Sequence, residues 1–308
     1  MSSPELRANV TWSYKQAKGV MIATVLLLFC VFMLCVGILL HALAKLSNSL
    51  DTPRYLLFKC MLVNDSIQMM SSVLLFMLAT FDVNFALFYC VPMIIISTAS
   101  FLNSPLILAT MSVERFVAIF YPLRRPAAWR SDRIWVIILA MWLLSYMSPV
   151  LENAIGDPRT LPVWSEPVRC NRHLVNITPA QAMIRIMANG LVFSLMAVLI
   201  IWTYICIMVQ TRKLRRTGDS GGRAQRTVLI HAAQLLLCGL AFTIPISETL
   251  ITQNYDIQSQ RLLSFFNYLC LVIFPRAFSP LIYGFRDQTL RRQIAKAFRA
   301  CARSKVGV

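Results

Sequence analysis

A chain of 308 residues that is 57% hydrophobic and only 14% charged, with a mean hydropathy of +0.63, lies outside the range of soluble domains, in which about a quarter of residues are charged. A membrane protein is expected, and a soluble enzyme is excluded as its main body. The formal net charge of +17 has to be read along the chain, because its distribution separates membrane topology from polyanion binding.

Seven apolar windows are long enough to cross a hydrocarbon core that takes about 20 helical residues. They lie near 20–44, 56–80, 88–118, 134–155, 181–210, 226–250 and 260–283. The expected fold is an all-α membrane protein, a seven-helix bundle over 20–284, preceded by an extracellular N-terminus (1–19) and followed by an amphipathic juxtamembrane helix and cytoplasmic tail (285–308). With the spans drawn, 21 of the 30 Lys and Arg fall in 45–59, 115–133, 211–226 and 286–305, on a side with five acids (Asp51, Glu114, Asp132, Asp219 and Asp287), whereas the opposite side holds eight bases and seven acids. The positive-inside rule makes the basic side cytoplasmic and puts the N-terminus outside. The charge therefore reports topology and contact with anionic lipid, not nucleic acid. Residues 1–19 show no short apolar core followed by a cleavage site, so the first span is expected to act as its own insertion signal. Asn9 and Asn176 head glycosylation sequons on the outer side.

The first span is almost purely aliphatic, without Asn, Asp or Glu, and reads as a packing and lipid-facing helix. Pro53 begins the second helix at a position where its missing N–H costs nothing. Within it Asn64, Asp65, Ser66 and Gln68 form a polar cluster, and Asp65 is not expected to face lipid. Span three is the most polar and is placed at the centre of the bundle. It runs through Cys90, Ser97, Thr98, Ser100, Asn103 and Ser104 to Glu114-Arg115, with Pro92 and Pro105 expected to distort it. Ser97, Phe101 and Ser104 share a face, for which interhelical hydrogen bonding and ligand contact are both open. Charge at the edge of hydrocarbon costs roughly 2.5–3.5 kcal/mol per residue, so Glu114-Arg115 is either an interfacial ion pair or a switch.

Span four carries Trp135 and Trp142, with Pro149 bending its outer end. The outer loop 156–180 holds Pro158, Pro162, Trp164, Pro167 and Cys170, a composition for a structured lid without regular helix. Span five has Arg185 and Asn189 in its outer third and Tyr204 toward the inside, and continues into a basic, Gly-containing loop. Span six ends outside at Pro245, Ser247 and Glu248, with a kink expected at Pro245. Span seven contains Asn267, Arg276 and Ser279-Pro280-Leu281-Ile282-Tyr283. Beyond it Leu290, Ile294, Phe298 and Cys301 recur at helical spacing among Arg and Lys, which reads as an amphipathic helix on the inner leaflet, with Cys301 a candidate for palmitoylation. Of the nine cysteines six lie within spans, where a small apolar residue suffices as explanation. Cys90 and Cys170 are the two on the oxidising side and are expected to form a disulfide.

These features resemble a rhodopsin-like (class A) G-protein-coupled receptor over nearly the whole chain. The matching residues are Asp65, Cys90 with Cys170, Trp142, Tyr204, the Ser-Pro-Leu-Ile-Tyr string at 279–283, and Glu114-Arg115-Phe116 placed 25 residues after Cys90. MSVERFVAIFYPLR further resembles the MAxxRYVAIxxPLRY signature of odorant receptors. LLFKCMLVNDSIQ, FLNSPLILATMSVER and FSPLIYGFRD look closest to the odorant receptor 131-2-like group of fishes. There are departures: no Asn in span one, Phe116 for the usual Tyr, Ser279 for the commoner Asn, Ala241-Phe242-Thr243-Ile244-Pro245 without the aromatic toggle, and one cysteine in the outer loop where tetrapod odorant receptors generally carry three.

The resemblance implies a plasma-membrane receptor, ciliary if olfactory, whose pocket lies between spans three, five, six and seven. Its candidate lining is Ser97, Thr98, Phe101, Leu102, Asn189, Phe242, Thr243, Ser247, Phe266 and Asn267, with plain packing the alternative for the aromatics. Ser97 stands where amine receptors carry an Asp, which disfavours a biogenic amine and leaves a small organic odorant as the expected ligand. Glu152, Arg185 and Glu248 either select a charged ligand or snorkel to water. Asp65, Ser104 and Arg276 form an expected intramembrane polar site. In many class A receptors the equivalent of Asp65 binds sodium, and Arg276 is expected to take the ion's place; the alternative is a guanidinium facing a water cavity. Arg115, Tyr204, Pro280 and Tyr283 are expected to serve coupling to a stimulatory heterotrimeric G protein that raises cyclic AMP, with Glu114 holding Arg115 at rest. The rival within the class is a non-olfactory receptor for another small molecule. A transporter or channel lacks support, since there is no inverted repeat. An intramembrane enzyme does too, since His41, His173 and His231 are scattered and no hydrolase motif occurs. Neither cofactor nor metal is expected.

Overall fold

In a computed structural model of the protein, the residues described are 4–47, 52–121, 126, 129–130, 132–154, 167–170, 179–215, 240, 243–278 and 292. Six helices among them are long and apolar enough to cross a membrane. The first, α1, runs Pro4–Ser47 and so begins well before the predicted residue 20. Hydropathy marks only the bilayer-embedded part, Gln16–Lys45, whereas a helix satisfies its backbone internally and can continue into water. Helix α2 (Pro53–Thr80) starts as expected, with Thr52 as an extended N-cap and Pro53 at the first position.

At the outer end of α2 the chain reverses through Asp82, whose φ of 53° is left-handed, a conformation that Asp tolerates better than most residues. It then enters the short strand β1 (Asn84–Ala86), which pairs antiparallel with β2 (Pro167–Arg169) in the outer loop, Asn84 opposite Arg169 and Ala86 opposite Pro167. The sequence reading expects a structured lid without regular helix there; the ribbon adds a strand pairing that it did not foresee. Three-residue strands are too short for an alternation pattern to show.

Helix α3 (Leu87–Phe120) passes through Pro92 and Pro105 without a break. Its membrane window is 61% buried, against 17–44% for the other five spans, so it is the axle of the bundle. It packs on α2, on α4 (Ile134–Ala154) and on α5 (Pro179–Arg215), while α1 packs on α2. Helix α6 (Ile244–Asn254) is the described outer part of span six, and α7 begins at Ile257–Tyr268 after the Asp256 N-cap. Span seven then widens into a π turn, Leu269–Ile273, and resumes as helix over 274–278. The rest of span six, the 279–283 string and all but Arg292 of the juxtamembrane helix lie outside the described residues.

Leu27, Leu34, Val136 and Val198 are largely exposed, as lipid-facing residues should be. Inward, Phe32, Leu57, Met61, Leu62, Ile107, Ile134 and Ile273 form one apolar core spanning α1 to α4 and the π turn. Lipid is as apolar as these side chains, so helix association rests on packing and on interhelical hydrogen bonds of about 0.6–2 kcal/mol each. That makes the buried polar residues informative.

Candidate functional site

The polar residues of α2 and α3 meet because their spacing matches the helical repeat. Asn64, Asp65 and Gln68 lie on the buried face of α2, and Ser97, Ser100, Asn103 and Ser104, spaced one to three apart, on that of α3. Asn64 Nδ2 donates to the Ser100 carbonyl and to Ser104 Oγ, each at 3.0 Å, and Asn103 Nδ2 donates to Asn64 Oδ1 at 3.0 Å. Asn64 thereby uses both of its donors and one lone pair of its acceptor. From α7, Arg276 Nη1 donates to Asp65 Oδ1 at 2.9 Å and to Ser104 Oγ at 2.6 Å. Ser104 in turn donates to the Ser100 carbonyl at 3.3 Å, so its hydroxyl has both lone pairs and its proton engaged. Asp65 and Arg276 are 4% and 8% exposed. The guanidinium also lies 5.8 Å from the centroid of Phe101, within cation–π range. The three residues expected to form an intramembrane site are thus together, and the carboxylate's partner is the guanidinium. Three buried oxygens around them, Gln68 Oε1, Ser100 Oγ and Asn103 Oδ1, have no partner among the described residues.

Sequence reading put Asp65, Ser104 and Arg276 in the intramembrane site but not Asn64, which joins Ser100, Asn103 and Ser104. The available signal was its place within the buried polar cluster, next to an acid. Nearer the outside, Tyr268 stacks on Phe76 with centroids 5.3 Å apart and donates to Ser72 Oγ at 3.3 Å, tying α7 to α2 a second time.

The expected pocket lining separates into three groups. Ser97 and Leu102 are buried on α3, Thr98 and Phe101 half-buried beside them, and Asn189 half-buried on α5 with its Oδ1 buried and without a partner among the described residues. Ser247 and Asn267 bind each other: Asn267 Nδ2 donates to Ser247 Oγ at 2.8 Å and to Glu248 Oε1 at 3.2 Å, while Ser264 donates to Glu248 Oε2 at 3.2 Å. This cluster ties α6 to α7, a role the sequence did not indicate for Glu248. Phe266 and Thr243 are exposed, unlike the other described lining candidates. Phe266 is 51% exposed, because its neighbours Phe265 and Asn267 turn toward α2 and α6 and one residue is about 100° of helix. Thr243 is exposed and donates to the Leu240 carbonyl. Phe242 lies outside the described residues.

At the inner end, Glu114 is buried and its Oε2 lies 3.6 Å from Arg115 Nε. Thr203 Oγ1 of α5 donates to Ser112 Oγ at 3.1 Å, and Phe116 lies between Phe120 (4.4 Å) and Trp202 (5.3 Å). This aromatic group holds α5 against the Glu114-Arg115 turn. Tyr204 is half-buried on α5; Pro280 and Tyr283 lie outside the described residues. On the outer side Cys90 and Cys170 are buried and disulfide-bonded, with Cα atoms 5.5 Å apart, next to the β1–β2 ribbon. Asn9 falls within α1, and Asn176 lies outside the described residues.

The profile of the 7 transmembrane receptor (rhodopsin family) matches residues 37–283. The chain is 29% identical over 202 residues to Odorant receptor 131-2 of Danio rerio, an alignment covering 65% of this chain and 61% of that one. It is 25% identical over 211 residues to Somatostatin receptor type 4 of Rattus norvegicus, covering 65% and 52%. The chain thus spans between half and two thirds of the length of these relatives. With six membrane-length helices among the described residues, a disulfide across the outer ends and a charged pair at the inner end of α3, the chain belongs to the rhodopsin family of seven-transmembrane receptors, multi-pass membrane proteins that are not enzymes.

Proposed function

We propose that this receptor is chemosensory: it binds a small organic odorant within the outer half of the bundle and activates a stimulatory G protein, raising cyclic AMP. The observation that carries the reading is the similarity to Odorant receptor 131-2; separately, the MSVERFVAIFYPLR stretch around Arg115 resembles the odorant-receptor signature. The N-terminus is outside and the Glu114-Arg115 turn faces the cytoplasm, as the basic loops require. An agonist shifts the receptor only by binding its active arrangement more tightly than its resting one. A ligand among Ser97, Thr98, Phe101 and Asn189 touches α3 and α5, and through Phe101 it lies one side chain from the Asp65–Arg276 pair. Displacement of Phe101 would be felt by the guanidinium, and hence by α2 and α7.

The test is a cyclic AMP assay of the full-length receptor in cells against a panel of volatile and water-soluble odorants. The expected result is a saturable rise for a subset of the panel. A receptor present at the surface that lowers cyclic AMP, or responds to somatostatin and to no odorant, would establish the second reading, a non-olfactory receptor, which the match to Somatostatin receptor type 4 favours.

A further inference from the structure

We infer that Asn189 is the hydrogen-bond acceptor for a neutral ligand hydroxyl, so that the receptor selects alcohols or phenols carried on an apolar body. The inference rests on the odorant-pocket reading above and adds the ligand's chemistry. Helices α3 and α5 both begin on the side of the β1–β2 ribbon and run the same way, as alternate odd spans must. The Ser112–Thr203 hydrogen bond fixes their mutual register near the inner end. Fourteen residues outward from Ser112 stands Thr98, and fourteen outward from Thr203 stands Asn189. Fourteen residues are about 21 Å of rise and close to four full turns, so both return to the facing sides at a common depth. The inward stripe of α5 reads Asn189, Val192, Met196, Ile200 and Thr203, which places Asn189 above an apolar run.

In that setting the amide oxygen of Asn189 is buried and has no partner among the described residues. A buried acceptor left unpaired costs about 1–3 kcal/mol, which a ligand donor recovers on binding. The donor has to be neutral. Asn189, Thr98 and Ser97 carry no charge, and an ammonium stripped of water needs an anionic partner. A hydroxyl on an aliphatic or aromatic body meets both conditions, its polar end on Asn189 and its body against Phe101 and Val192. A carbonyl ligand has no donor for this oxygen.

The experiment measures thermal unfolding of the detergent-solubilised full-length receptor with matched compounds of one chain length: a primary alcohol, its aldehyde, its methyl ether and the alkylamine. The alcohol is expected to raise the melting temperature with an affinity roughly tenfold or more above the other three. In Asn189→Leu that advantage should shrink to about twofold, while unfolding without ligand stays cooperative. Equal binding of aldehyde and alcohol overturns the inference, since the amide would then present its N–H. So does an alcohol preference that survives Asn189→Leu, or a panel in which no compound shifts the receptor. Stabilisation by the alcohol without any rise in cyclic AMP supports the ligand assignment and overturns the stimulatory coupling proposed above.

Discussion

Replacing Arg276 by Met removes the cation from a carboxylate that is 4% exposed and leaves its charge inside the bundle. At the observed separation of 2.9 Å the Coulombic attraction is about 6 kcal/mol for an effective dielectric near 20, most of it offset by desolvation in the intact pair. Once one partner is removed that offset is gone, and breaking buried pairs in this way costs about 3–5 kcal/mol. In a membrane the unfolded helices also find polar partners, which lowers the cost. We therefore expect Arg276→Met to lose at least about 3 kcal/mol, read as a fall on the order of 6 °C or more in the melting temperature of the solubilised receptor and as reduced surface expression. Asp65→Asn combined with Arg276→Met removes both charges and should recover most of the loss, giving a strongly non-additive double-mutant cycle. Additive single and double variants, or Arg276→Met melting within a degree of the wild type, would refute the reading of the pair as a mutual dependence.

Two further outcomes follow from the ends of α3. Arg115→Ala should abolish the cyclic AMP response at unchanged surface expression, and Glu114→Gln should raise basal cyclic AMP; a full agonist response in Arg115→Ala would remove that residue from coupling. Cys90→Ser and Cys170→Ser should each lower surface expression, and the double variant should be no worse than either single one, because all three lack the same bond; closing a loop of 80 residues stabilises by about 4–5 kcal/mol in the chain-entropy picture.

The polar core was legible because membrane spans tolerate so few charges. Asp65 and Arg276 stand out in apolar runs, and each needs a partner whatever the sequence around it. The disulfide was legible for a similar reason: topology left only two cysteines on the oxidising side. What stayed hidden depends on rotation about helix axes, which composition does not carry. Phe266 and Asn267 are neighbours in sequence, and only the packing of α7 decides that one meets lipid and the other Ser247. Asn64 was visible as a polar residue but not as the hub, since its three hydrogen bonds depend on the register of α2 against α3. The extension of α1 to Pro4 was missed because hydropathy measures the bilayer's thickness and not a helix's length.

The π turn at Leu269–Ile273 gives the buried ion pair a dependence on residue count rather than on residue type. An α-helix advances about 100° per residue, and a π turn holds one residue more than the α turn it replaces. Winding the same residues as regular α-helix, with none removed, would leave the outer contacts of Asn267 and Tyr268 in place. Everything beyond the turn would swing by about 100°, carrying Arg276 off the face that meets Asp65. The connection between the outer half of span seven and the polar core thus runs through one inserted residue, at a point where the helix's own hydrogen bonds are easiest to rearrange. A movement that tightens or loosens that turn would rotate the guanidinium relative to the α6 contacts above it, turning a local change of helix winding into a change of partner in the middle of the membrane.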